Sequence, residues 1–374
     1  MKVVHICSYF TSSGLYPLLF SRLNAALESN DVYYFADNAA PPPAVADEFK
    51  MGTVIFSPCY PKAARLLFAW KHTLACRDAA RKLDLDRYDL QHAHSLFSNG
   101  YVAHNLYKKY GTPYIAAVRA TDIHVFFKRM PHLRRLGNRI LSDARRIVFI
   151  SPAYRDALLS TFAKGNAAMI AAKSIVLPNG IDPYWLNNIY RHPPLELGKT
   201  IRLIFAGAID RRKNIEAAIA ASDLLVDEGY EIEFTIAGRI ADRRYKALIQ
   251  SRSYINYVGR CDKAALCAHY RASDIFVMPS RRETFGLVYA EAMSQGLPVI
   301  YTRGEGFDGF FREGEIGYSV RCDDAQEIAE RVKKIRADYP EISARCSENV
   351  KIFDWDVIAR DYINLYADAV KISQ

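Results

Sequence analysis

With 374 residues, 50% hydrophobic and 24% charged, the chain has the balance of a soluble globular protein and is too long for one ordinary core, so two domains are expected. No run approaches the ~18 consecutive apolar residues of a bilayer-spanning helix. Seven cysteines, odd in number and without a C-x-x-C pair, argue for reduced, mostly buried thiols and against a disulfide framework or a zinc site.

The N-terminal MKVVHICSYF reads as a first strand, its apolar run being too short for a secretory signal, so a cytoplasmic location is expected. YPLLFSRLNAALES has helical spacing, DVYYFADN reads as a strand, and the three prolines of Ala40–Val45 make a loop. LLFAWKHTLACRDAARKL is a helix with both apolar and basic residues; YDLQHAHS, PYIAAVRATD and RRIVFISP are strands after helical segments. SIVLPNGIDPYWL is a turn-rich break and the expected domain junction. The rhythm then restarts with TIRLIFAGAID and continues through EIEFTIAGRI, INYVGR, DIFVMPS, LPVIYT and IGYSV, closing on the amphipathic WDVIARDYINLYADAVKI. The expected fold is α/β, two doubly wound Rossmann-like domains facing across a cleft: residues 1–183, completed by a returning helix 355–374, and residues 184–354.

Charge is uneven along this plan. Residues 1–187 sum to +10 and residues 188–374 to −1. The first domain is therefore expected to meet something anionic, such as a membrane surface or a lipid phosphate. No nucleic-acid-binding motif accompanies the charge, so nucleic acid is not expected.

The most informative stretch is SRRETFGLVYAEAMSQGLPVI, Ser280–Ile300. Glu283 falls in the loop after a strand, Gly286 at a helix start, and Glu291 one to two turns into a helix that Gly296 ends. Open α/β sheets bind ligands beyond the carboxyl ends of their strands, and a helix N-terminus there suits phosphate. A carboxylate on either side accepts hydrogen bonds from hydroxyls, so the pattern suits a nucleotide sugar, with Glu291 on the ribose and Glu283 on the sugar. The plainer reading, a capping Glu283 and an exposed helical Glu291, stays open for this motif alone.

The stretch resembles the E-x7-E motif of retaining glycosyltransferases of the GT-B fold, family 4. FAGAIDRRKNIEAA at Phe205–Ala218 resembles the family's glycine-then-lysine loop, and IVFISPAYRDAL and VLPNGID follow the family's order. The resemblance implies a transferase moving a hexose-type sugar from a UDP- or GDP-sugar to a glycan or lipid-linked acceptor, in bacterial surface polysaccharide or glycolipid synthesis. It implies retention of configuration, no cofactor and no metal. Lys213 and the adjacent Arg212 would neutralise the leaving diphosphate. Backbone groups from Phe285 and Gly286 to Leu287 and Val288 would hold phosphate, Arg260 would lie near the base, and Gly207 and Gly14 would allow close backbone approach. Ala208 stands where many relatives have arginine, and Arg119, followed by Asp122, stands where many have histidine. Arg119, Asp122 and His94 are thus expected on the acceptor side. The alternatives are a nucleotide-sugar 2-epimerase of the same fold and a non-catalytic nucleotide-sugar binding module.

His92 and His94 share a strand face, but no further ligand accompanies them in the sequence, so a polar strand end is expected rather than a metal site. Asp84 and Asp86 mimic D-x-D but sit at a helix end. Glu305 and Asp308 in RGEGFDGFFREGEIGY are donor contacts or plain loop acids. The basic, apolar helices of the first half are solvated faces or a peripheral contact on the inner face of a membrane.

Overall fold

Short runs of Val, Ile, Phe and Tyr become parallel strands in two sheets. The computed structural model describes residues 1–11, 14–43, 52–192 and 197–371; Ser12 and Ser13 of SSGLYP, Ala44 and Val45 of the proline loop and the last three residues of the expected C-terminal helix lie outside them. The first unit comprises Met1–Ile150, Tyr154–Asn179 and Trp355–Gln374; the second comprises Ser151–Ala153 and Gly180–Asp354.

The first sheet contains β1 (Lys2–Ile6), β2 (Ser29–Asp37), β3 (Val54–Tyr60), β4 (Leu90–Ala93), β5 (Tyr114–Val118), β6 (Arg146–Phe149) and β7 (Ser174–Val176), in the order β3-β2-β1-β4-β5-β6-β7. The second contains β8 (Thr200–Ala206), β9 (Glu231–Ala237), β10 (Ile255–Gly259), β11 (Ile275–Val277), β12 (Val299–Thr302) and β13 (Gly317–Val320), in the order β10-β9-β8-β11-β12-β13. A parallel sheet is covered on both faces, which is why its strands read as continuous apolar runs; every residue of YIAAV in β5 is buried. In both sheets the order reverses beside the first strand, between β1 and β4 and between β8 and β11. Ligands of doubly wound sheets bind beyond such points.

β3 was not expected from sequence. Its Pro58 lacks an N–H and argues against a central strand, but β3 is the edge of its sheet, where proline is tolerated. The last helix, Trp355–Lys371, joins the first unit because one face is apolar at helical spacing: Trp355, Ile358, Ala359, Tyr362, Leu365, Tyr366 and Ala369 are all buried in that unit's core. The seven cysteines are free, but only Cys7, Cys267 and Cys346 are buried; the other four are partly exposed, fewer buried than expected. Among the described residues no helix is long and apolar enough to cross a membrane.

Candidate active site

In the second unit, β8 runs into the loop Gly207–Asn214, and the helix Ile215–Asp227 follows. Asn214 turns the chain at φ 57°, the sole non-glycine residue at positive φ among the described residues. Its Nδ2 donates to the carbonyls of Pro279 at 2.9 Å and Cys322 at 2.5 Å, pinning the loop to the segments after β11 and β13. Gly238 lets β9's end pack under this loop, since a Cβ there would stand 1.8 Å from the Gly207 oxygen.

The pinned loop delivers Lys213 to Glu283, and the two form an ion pair beyond the carboxyl ends of β8 and β11. The side chains are 12% and 8% exposed. Asp210 Oδ1 accepts the Lys213 backbone N–H at 2.9 Å, and Glu305 accepts that of Glu283 at 2.8 Å. Asp308 accepts Gly304 N–H at 2.7 Å. Glu305 and Asp308 thus both shape the loop backbone. Arg212, next to Lys213 in the chain, has a side chain 49% exposed whose guanidinium lies 3.9 Å from Asp210.

Gly286, at φ +86°, opens the helix Leu287–Ser294. A side chain there would meet the Tyr289 ring at 2.4 Å. Phe285 is buried against Phe307, Phe310 and Phe353. Its ring is core, so only its backbone suits a ligand. Leu287 and Val288 are partly buried, and their N–H groups are among those a helix start leaves without intrahelical acceptors.

Glu291 is partly buried on the same helix. Burial and the nearby Asp182 push its carboxyl up to about 7, while Lys263 and a hydrogen bond from Trp185 pull the other way. Asp182 itself pairs with Lys263 and caps the helix Pro183–Asn187. These neighbours were not expected beside Glu291: Asp182 ends the VLPNGID stretch, which was read as a domain junction, and Lys263 begins another helix without a motif. Arg260 is exposed after β10, the edge strand.

The first unit's switch point is built differently. His5 in β1 lies in register with His92 in β4, and His94 follows on the same face. The His pair is therefore accompanied after all: one ring nitrogen from each of the three imidazoles lies within 4.8 Å of the others. His5 bonds His94 at 3.0 Å and Asn30 at 2.6 Å, and His92 bonds the Tyr366 hydroxyl at 2.7 Å. Burial lowers all three, His5 to about 4, so the rings are neutral. The group holds no carboxylate or thiolate, and the Arg119 guanidinium lies against it, donating to the His94 carbonyl at 3.0 Å.

Asp122 is buried, and burial pushes its carboxyl up to about 6 against the pull of its N–H donors. It accepts the backbone N–H groups of Leu96 and Phe97, each at 3.1 Å, and of Arg119 at 2.9 Å. It thus ties the loop after β4 to the loop after β5. Gly14 is exposed ahead of the helix Leu15–Asn24, with open space where a Cβ would stand.

Residues 188–353 match the family described as glycosyl transferases group 1, and residues 21–185 match glycosyltransferase family 4. The chain belongs to these group 1, family 4 glycosyltransferases. A phosphatidyl-myo-inositol mannosyltransferase of Mycobacterium leprae (strain TN) is 27% identical over 207 residues, 53% of this chain and 54% of that protein. The chain spans about half the length of that curated relative. Sucrose-phosphate synthase from Thermosynechococcus elongatus superposes with TM-score 0.73 at 21% identity over 98% of each chain. Anabaena Alr3699/HepE in complex with UDP and glucose gives TM-score 0.63 at 19% identity over 97% of this chain and 98% of that one. These likenesses agree with the expected GT-B class of two Rossmann-like domains for the glycosyltransferase.

Proposed function

We propose that the glycosyltransferase moves a hexose-type sugar from a UDP- or GDP-sugar to a hydroxyl of a glycan or lipid-linked acceptor, with retention at the anomeric carbon. The observation that carries this reading is the Lys213–Glu283 pair beyond the two central strands of the second unit, beside the start of the Leu287–Ser294 helix. An arriving diphosphate competes with Glu283 for the ammonium. Lys213 and Arg212, rather than a metal ion, then offset the charge that grows on the leaving phosphate. Glu283, released from Lys213, accepts hydrogen bonds from sugar hydroxyls, and Glu291 does so from the ribose. The bond from the anomeric carbon to phosphate breaks as the bond to the acceptor oxygen forms on the same face. The acceptor's proton passes to the departing phosphate. A trapped glycosyl adduct on Glu283 would overturn this front-face course. The names of a mannosyltransferase relative and of a neighbour solved with UDP and glucose support a hexose donor.

The test is a panel of UDP- and GDP-sugars, with and without EDTA, read by thermal stabilisation and by nucleoside diphosphate release on adding acceptor. Binding of one donor that survives EDTA and is lost in Glu291→Ala supports the reading. No stabilisation by any nucleotide sugar overturns it. A sugar nucleotide converted without release of nucleoside diphosphate would mark an epimerase, and binding without turnover a binding module.

A further inference from the structure

After β3, a short 3-10 turn, Lys62–Leu66, carries the first unit's chain into the helix Phe68–Lys82. Leu66 is 87% exposed, Leu67 60% and Trp70 43%. Single exposed apolar residues are ordinary, but three large ones within five positions form a patch that needs a cause. The turn is anchored from within. Ala64 is buried, and the Phe68 ring meets Phe97, Tyr101 and Phe126 edge-on. The apolar tip is therefore presented by a fixed base.

The rim is cationic. Lys62 and Arg65 are exposed on the turn, and Phe126, 5.9 Å from Phe68 between ring centroids, leads directly into exposed Lys128 and Arg129. Arg65 also holds Asp37, which neutralises a nearby acid. A second copy of the chain seated on this face would bring the same positive charge. An anionic bilayer satisfies both features, taking apolar side chains at the acyl boundary and pairing cations with lipid phosphates.

We propose that Leu66, Leu67 and Trp70 insert into the surface of an anionic phospholipid bilayer, with Lys62, Lys128 and Arg129 on the lipid phosphates. This goes beyond the sugar-transfer reading and does not rest on it. Trp70 makes it directly testable: the chain has three tryptophans, and the other two, Trp185 and Trp355, are each only 2% exposed. The full chain is mixed with phosphatidylcholine vesicles containing phosphatidylglycerol, with and without brominated acyl chains. The expected result is co-sedimentation that salt weakens, with quenching of tryptophan emission by the brominated lipid. Trp70→Phe should still sediment but lose the quenching. The double variant Leu66→Ser/Leu67→Ser should partition about a hundredfold less, roughly tenfold per leucine, at an unchanged melting temperature because both side chains are exposed. Failure to sediment, sedimentation without quenching, or wild-type partitioning of the double variant would each overturn the proposal. So would a dimer in light scattering that the double variant abolishes, since it would make a second copy the occupant.

Discussion

The central strands of the second sheet are joined by an ion pair at each end, and the two pairs differ in kind. At the amino ends of β8 and β11, Arg202 grips Asp274 with two guanidinium nitrogens, at 3.1 and 2.7 Å, and Asp274 also accepts the Arg202 backbone N–H at 2.8 Å. That carboxylate is saturated and 1% exposed. At the carboxyl ends Glu283 accepts the Thr284 backbone N–H at 3.1 Å, and Lys213 meets it through a single ammonium on a flexible stem. A planar fork fixes geometry, whereas a point charge can be handed to another anion. The difference separates a clasp that holds the sheet from a charge that, under the proposed function, passes to an incoming diphosphate. The first sheet teaches the same lesson: beyond β4 and β5, Asp122 is spent on three backbone N–H groups from two loops, a fixed tie like that of Asp274.

Substitution at Lys213 should break this comparison most visibly. Lys213→Ala is expected to slow nucleoside diphosphate release by about 10²–10³-fold. Arg202→Ala should instead cost roughly 3 kcal/mol of stability by stranding buried Asp274, leaving turnover of the folded enzyme within about threefold. Rates and urea denaturation on the same preparations decide; activity lost in proportion to stability in both variants would erase the distinction.

Asp122→Ala should destabilise by about 3 kcal/mol, since three buried N–H groups lose a charged acceptor, with Asp122→Asn recovering part of that. Denaturant midpoints check both, and equal midpoints for Asp122→Ala and wild type would refute the tie between the two loops.

Glu291 gives a smaller effect of opposite sign. Its folded-state pKa, about 7, is raised above the ordinary 4.5. The folded chain therefore holds a proton that the unfolded chain has released, and stability falls as pH rises from about 4.5 to 7. Asp122, raised from 3.8 to about 6, adds in the same direction over its own window. Glu291→Gln should consequently stabilise the unliganded protein by ~1–3 kcal/mol at pH 8, the gain shrinking toward pH 4.5, while weakening donor binding about tenfold. Melting curves at both pH values and donor titrations test this; a variant less stable at pH 8 would show that the carboxyl is not strained by burial. Least affected should be Arg212→Ala, which removes a half-exposed cation next to Lys213 in the chain: turnover about tenfold lower or less, with no change in the melting temperature.

Much of the frame was legible in the chain. Runs such as DIFVMPS and LPVIYT announce buried strands by composition, and Gly286 and Gly296 bracket the helix that carries Glu291 because each sits at positive φ. The strand Val54–Tyr60 was hidden by Pro58, which only an edge position accommodates. His5 was hidden because nothing near it in sequence marks it; it reaches His92 through strand pairing across 87 residues.

By itself, the sequence determined the α/β rhythm, the loops that follow each strand and the residue types waiting in them, because periodicity and turn chemistry are local. Tertiary structure alone decided which charges meet. Lys213 finds Glu283 seventy residues away, Asp122 is used up by backbone N–H groups, and Asp182 comes to raise Glu291. Strand order in a parallel sheet is fixed by burying whole faces at once, so the partners across a switch point are a property of the assembled sheet and of no single segment.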